Sequence, residues 1–101
     1  MSSEKTSMPN SLNEHWMPFT SNRDFKERPR LITSAKGVYL KNHEGQTQID
    51  ASSGLFCNPL GHGRIEIIDA ITNQLKTLDY AQPFQQGFGG SFELATRIAK
   101  H

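Results

Sequence analysis

The sequence predicts an α+β chain: a short antiparallel β-meander covered by an amphipathic helix. Three observations carry that prediction. Between Leu31 and Ala51, three short runs of β-forming residues are separated by turn-forming ones. From Ile65 onward, apolar residues recur at three- and four-residue steps. The whole chain has 101 residues, 35% of them apolar and one a cysteine, which suits one small unit rather than several domains.

The first strand is expected over Leu31–Ser34, with Ala35-Lys36-Gly37 turning the chain. The second is expected over Val38–Lys41, with Val38 and Leu40 on one face and Tyr39 on the other, because successive strand side chains alternate. Asn42 and Gly45 suit the first and fourth positions of a type I turn. The third strand is expected over Thr47–Ala51, with Thr47 and Ile49 to one side and Gln46, Gln48 and Asp50 to the other. The sum is a meander with one apolar face, and three short strands need a partner over that face. The helix expected to supply it carries Ile65, Ile68, Ile71 (or Thr72), Leu75 and Leu78 along one stripe. Glu66 and Asp69 lie in its first turns, where the helix dipole favours acids. Asp79, Tyr80 and Pro83 end it. After a glycine-rich turn, Ser91 is expected to cap a second helix with Phe92, Leu94, Ala95 and Ile98 on one side.

The N-terminal part reads differently. Residues 1–13 are polar and aperiodic, which predicts a disordered arm. Trp16, Met17, Phe19 and Phe25 follow in a segment without a helical or strand period, interrupted by Pro18 and Pro29. Such a segment is expected to drape over another surface.

Composition excludes several function classes. The formal charge is +1 and the charges are interspersed, so neither nucleic acid nor a membrane is an expected partner. A single cysteine points to a reducing compartment. The first sixteen residues hold no apolar signal core, and no apolar run approaches the roughly 18–20 residues of a membrane span. The expectation is a cytoplasmic chain. A mean hydropathy of −0.60 leaves a lean core for this length.

One stretch, "GLFCNPLGHGR" at residues 54–64, gathers candidate chemistry. Cys57 and His62 fall short of the four N/S ligands of a structural zinc site. As a thiol nucleophile and base they lack an orienting third group and an oxyanion hole. The glycines of "GHGR" precede a helix, where free N–H groups attract phosphate, but neither the lysine-bearing phosphate loop nor the dinucleotide spacing is present. Cys57 is therefore read as a small buried hydrophobe, His62 as a hydrogen-bonding residue in a strand-to-helix turn, and the glycines as the means of turning. The aromatics Trp16, Phe19, Phe56, Phe84 and Phe88 sit in loop segments, where rings either anchor an interface or line a pocket.

Seven blocks run in order: "HWMPFTSNRDFK", "PRL", "A-x-G-x-Y", "D-x-x-x-G-L-x-C", "GHGR-x-EI-x-x-AI-x-x-Q", "LDYA-x-x-FQ" and "SFELA-x-RIA". Over residues 14–100 they resemble the N-terminal part of class III pyridoxal-phosphate aminotransferases, most nearly the omega-amino-acid–pyruvate (β-alanine–pyruvate) type. The resemblance implies a fold-type I enzyme using pyridoxal 5′-phosphate, in which residues 14–90 are the N-terminal part of the small domain and residues 91–101 begin the helix crossing into the large domain. It implies a homodimer or homotetramer acting on a small-molecule amine and pyruvate. By motif match, Phe19, Leu55 and Phe56 would line the substrate pocket of their own subunit, and Phe84 would reach into the partner's. Two departures stand out: Phe56 where relatives usually carry Trp, which implies a wider pocket, and "GFGGSF" where a Gly-His-Pro type turn is usual. The family's Schiff-base lysine, cofactor carboxylate and phosphate cup match nothing in this chain, so the 101 residues alone are expected to be an inactive N-terminal fragment. Another class III transaminase of the diaminopelargonate type, and a non-catalytic stand-alone binding protein, are the alternatives.

Overall fold

The computed structural model describes residues 7–101; residues 1–6, the start of the predicted arm, lie outside the described residues. The chain divides into two compact units, one ending at Arg64 and one spanning Ile65–His101. The fold is α+β as predicted, with a three-stranded antiparallel sheet in the first unit and two longer helices in the second.

The first unit opens with a helix that the sequence reading did not anticipate, α1 (Asn22–Glu27). Its signal is local rather than periodic. Ser21 and Asp24 stand in the spacing of a helix start, and the Ser21 hydroxyl donates to the Asp24 carboxylate at 2.8 Å. Six residues are too few for an apolar stripe to be read. The helix stops at Arg28 because the residue before Pro29 is pushed out of the helical region.

The sheet has the order β1 (Ile32–Lys36), β2 (Tyr39–Asn42), β3 (Thr47–Ile49). β1 runs two residues further than predicted, and Gly37 and Val38 alone make the reversal, with Lys36 paired to Tyr39. Gly37 has φ +58°, the left-handed conformation a two-residue hairpin needs at its first central position. The second turn is as expected: the Gly45 N–H donates to the Asn42 carbonyl at 2.9 Å. The Asn42 side chain adds a further restraint, accepting from Glu44 N and Gln46 N at 3.1 and 2.9 Å.

Register corrects the predicted single apolar face. Tyr39 lies opposite Ile49, and Leu40 opposite Gln48 and Ala35. Directly opposed residues share a face, so Tyr39 and Ile49 occupy one side while Leu40 and Ala35 occupy the other. The alternation within each strand was read correctly. The way the strands align across the turns was not: the connection between β2 and β3 pairs Lys41 with Thr47, and this sets Tyr39 beside Ile49.

In the second unit, α2 (Ile65–Thr77) and α3 (Gly89–Ala99) follow the predicted periodicity. Leu78 N donates to the Gln74 carbonyl beyond the end of α2. α3 begins three residues earlier than expected. Its N-cap is Phe88, and Ser91 lies inside the first turn, donating its hydroxyl back to the Phe88 carbonyl at 2.7 Å. Glycine suits position 90 because the Phe88 ring lies where a Gly90 side chain would be.

Among the described residues no hydrophobic side chain is buried. Ile65, Ile68, Ile71 and Leu75 of α2 are exposed, and so are Val38, Tyr39 and Ile49 of the meander. Backbone ladders and polar side-chain clamps, rather than a core, hold each unit's local geometry.

Candidate functional site

The stretch between β3 and α2 carries the most organised polar cluster in the first unit. Ser53, Gly54, Leu55 and Phe56 have consecutive φ values of +52°, +59°, +54° and +70°. They form a left-handed turn, closed by Phe56 N donating to the Ser52 carbonyl at 2.9 Å and Asn58 N to the Ser53 carbonyl at 2.8 Å. Left-handed backbone costs an L-residue about 1–2 kcal/mol, and three of these four residues are not glycine. Such a conformation persists where its surroundings over-determine it.

The surroundings are Asp50, His62 and Asn58. One Asp50 carboxylate oxygen accepts the Gly54 N–H at 3.0 Å, and the other faces His62 Nε2 at 2.9 Å. The Asn58 amide nitrogen stands 2.8 Å from His62 Nδ1. An amide nitrogen only donates, so Nδ1 accepts and Nε2–H donates to Asp50. His62 is itself fixed by a two-way backbone pair with Gly37, each N–H donating to the other's carbonyl at 2.8 Å. Asp50, Asn58 and His62 line a shallow groove of about 280 Å³ with Gly37, Val38 and Gly61. The Gly54 N–H and then His62 hold the Asp50 carboxyl below its ordinary value.

That direction sets a pH dependence. A carboxylate whose pKa is lower when folded stabilises the fold above its unfolded pKa and ceases to do so as pH falls through the folded one. The turn is therefore expected to stay intact across the neutral range and to loosen only below the ordinary carboxylate range. A 13C titration of the Asp50 carboxyl carbon checks this, and a midpoint at or above that of a free aspartate contradicts it.

A second clamp acts upstream. Asn22, 4% exposed, accepts the Met17 N–H at 2.8 Å and donates to the carbonyls of Met17 and Thr20 at 2.9 and 3.0 Å. It ties the base of the loop "WMPFT", at whose tip Phe19 has φ +49° and a fully exposed ring. Lys26 lies 5.8 Å from the centre of the Trp16 ring and donates to the Asn13 carbonyl at 3.1 Å.

The structure brings Leu55 and Phe56 together on one turn, both projecting outward, with Phe56 83% exposed. Phe19 projects from a different loop of the same unit, and Phe84, 76% exposed, belongs to the second unit beside Gln85 with φ +60°. Cys57, expected to be buried, is exposed, because the left-handed turn holds the whole segment at the surface. His62 is the hydrogen-bonding residue expected of it. Asp50, Asn58 and Asn22 were not singled out by sequence reasoning. The signal for Asp50 lay within the quoted block "D-x-x-x-G", whose spacing lets a carboxylate reach the glycine N–H.

The residues present do not fit a pyridoxal-phosphate cradle on their own. Lys36 and Lys41 stand on the sheet, Lys76 in the last turn of α2 and Lys100 at the end of α3, while Lys26 is engaged with Trp16. Among the described grooves, none gathers a lysine, an aspartate and an anion-binding turn.

No family model matches the chain. The β-alanine–pyruvate aminotransferase of Pseudomonas aeruginosa is 46% identical over 89 residues, 88% of this chain and 20% of that protein. The omega-amino acid–pyruvate aminotransferase of Pseudomonas putida is 47% identical over 87 residues, 86% of this chain and 19% of that protein. Over most of its length the chain is similar to omega-amino-acid–pyruvate aminotransferases. The structural comparison agrees: the crystal structure of the omega transaminase from Pseudomonas jessenii in complex with PMP superposes with a TM-score of 0.83 at 28% identity, over 94% of this chain and 22% of that one. The chain spans about one fifth of the length of the curated family members it matches. Among the described residues no helix is long and apolar enough to cross a membrane.

Proposed function

We propose that this chain supplies pocket walls and subunit interface to a cytoplasmic, pyridoxal-phosphate-dependent omega-amino-acid–pyruvate aminotransferase of class III. In this reading residues 14–90 are the N-terminal part of the small domain and residues 91–101 begin the crossing helix. The whole protein moves an amino group from an omega-amino acid or primary amine to pyruvate, as a homodimer or homotetramer. The cofactor, held by residues outside this chain, supplies the amino-group chemistry. Phe19, Leu55 and Phe56 bound the apolar part of the substrate and exclude water, and Phe84 does so for the partner subunit.

The observation that carries this reading is the placement of the rings. Phe19 and Phe56 have left-handed backbone, Phe84 adjoins a residue that does, and all three project outward. Large apolar groups held exposed on strained backbone belong to binding surfaces rather than to a core. Both curated relatives quoted above are named for omega-amino acids or β-alanine with pyruvate, which favours this substrate class over the diaminopelargonate type.

The test is a chimera in which this chain replaces the stretch it matches in the Pseudomonas putida relative, assayed for alanine formation from pyruvate and β-alanine. The chimera is expected to form alanine, and the 101-residue chain alone to form none. A chimera that folds and takes up pyridoxal phosphate yet transfers no amino group from β-alanine or other primary amines to pyruvate would overturn the reading.

A further inference from the structure

We propose that Asp50, His62 and Asn58 form a positioning relay that holds Leu55 and Phe56 in their outward, left-handed presentation; its consequence for substrate selection rests on the transaminase reading above. The turn has little of its own to keep it in place. Its backbone is disfavoured at Ser53, Leu55 and Phe56, the Ser53 N–H reaches the Asp50 carbonyl only at 3.4 Å, and its two shortest internal bonds, Phe56 to Ser52 and Asn58 to Ser53, do not tie it to the sheet.

The relay does. The start of the turn reaches His62 through the Asp50 carboxylate, its middle reaches the same carboxylate through the Gly54 N–H, and its end reaches His62 through the Asn58 amide. His62 in turn is locked to the β1–β2 reversal by its backbone pair with Gly37. Three points of the turn therefore converge on one imidazole that the hairpin holds still. A histidine suits the place because its two ring nitrogens face opposite ways, and the neutral ring donates from one and accepts at the other. A lysine offers no acceptor, and a glutamine lacks the rigid ring. Asp50, His62 and Asn58 touch no reacting atom in this arrangement; they act through Leu55 and Phe56.

The experiment is NMR on the 101-residue chain. At neutral pH, His62 is expected as the Nε2–H tautomer with Nδ1 unprotonated, and Leu55 and Phe56 are expected to show the HN–Hα couplings of positive φ. Asp50→Ala is expected to average those couplings toward coil values while the Tyr39–Ile49 cross-strand NOE persists. Asp50→Asn, which keeps an acceptor for the Gly54 N–H, is expected to restore them in part. An Nδ1–H tautomer in the unaltered chain, or couplings at Leu55 and Phe56 that Asp50→Ala leaves unchanged, would overturn the proposal. The tautomer reading holds even if the substituted chain fails to fold. Because these signals are read on the chain itself, their failure is separate from failure of the transaminase reading, which the chimera tests.

Discussion

Replacing Asn22 by Ala is expected to lower stability by about 2–3 kcal/mol and to release the loop that carries Phe19. Asn22 is the buried polar side chain of the first unit, and its amide satisfies the Met17 N–H and the carbonyls of Met17 and Thr20 at once. Truncation leaves three backbone groups without that partner, and an unsatisfied, partly buried group costs roughly 1–3 kcal/mol. Against the marginal stability of small domains this is a large fraction. Asn22→Asp is expected to do at least as much harm. A carboxylate keeps the bond from Met17 N–H but sets a negative oxygen against two carbonyls. Trp16 adjoins Met17 and is the chain's one tryptophan, so its emission reports the loop directly. A urea midpoint and a Trp16 emission maximum unchanged in Asn22→Ala would contradict the clamp.

Gly61→Val is the second large effect, expected to break the bridge between the hairpin and the segment before α2. Gly61 has φ +88°, and a Cβ there would lie 3.3 Å from the Gly37 carbonyl oxygen and 3.5 Å from Gly37 C and Cα. The obstacle is backbone, which cannot swing aside as a side chain can. A β-branched residue adds its own aversion to left-handed backbone, so the total exceeds the roughly 1–2 kcal/mol of the conformational term alone. Gly37→Ala provides the contrast. Gly37 also has positive φ, but nothing lies within 4 Å of its added Cβ, so the conformational term is its whole cost. Amide exchange at Gly37 and His62, whose N–H groups form the bridge, is expected to accelerate strongly in Gly61→Val and weakly in Gly37→Ala. Equal acceleration in both would show that conformation, not crowding, sets the cost.

Both substitutions lie at places that periodicity does not mark, and this explains what was legible. α2 was readable because its apolar residues repeat over thirteen positions, long enough for a pattern to stand out. The turn over residues 42–45 was readable because Asn42 and Gly45 each have a local reason to be in it. α1 was missed because six residues show no period. The single apolar face was misread because alternation within a strand is local, while pairing of β2 with β3 depends on the number of residues in the turn between them. The candidate aromatic residues were singled out by their places in loop segments, and the roles proposed for them came from the order of seven sequence blocks.

The sequence by itself determined the α+β class, the long helices, the glycine-marked reversals and the family resemblance, because each follows from local preference or from motif order along the chain. Only the tertiary structure decided that Tyr39 faces the same way as Ile49, that Cys57 is exposed, and that Asp50, Asn58 and His62 converge. Those facts depend on which residues distant in sequence become neighbours. Asp50 and His62 are twelve positions apart and meet at 2.9 Å, because a left-handed turn and one backbone bridge at Gly37 fold the chain back between them.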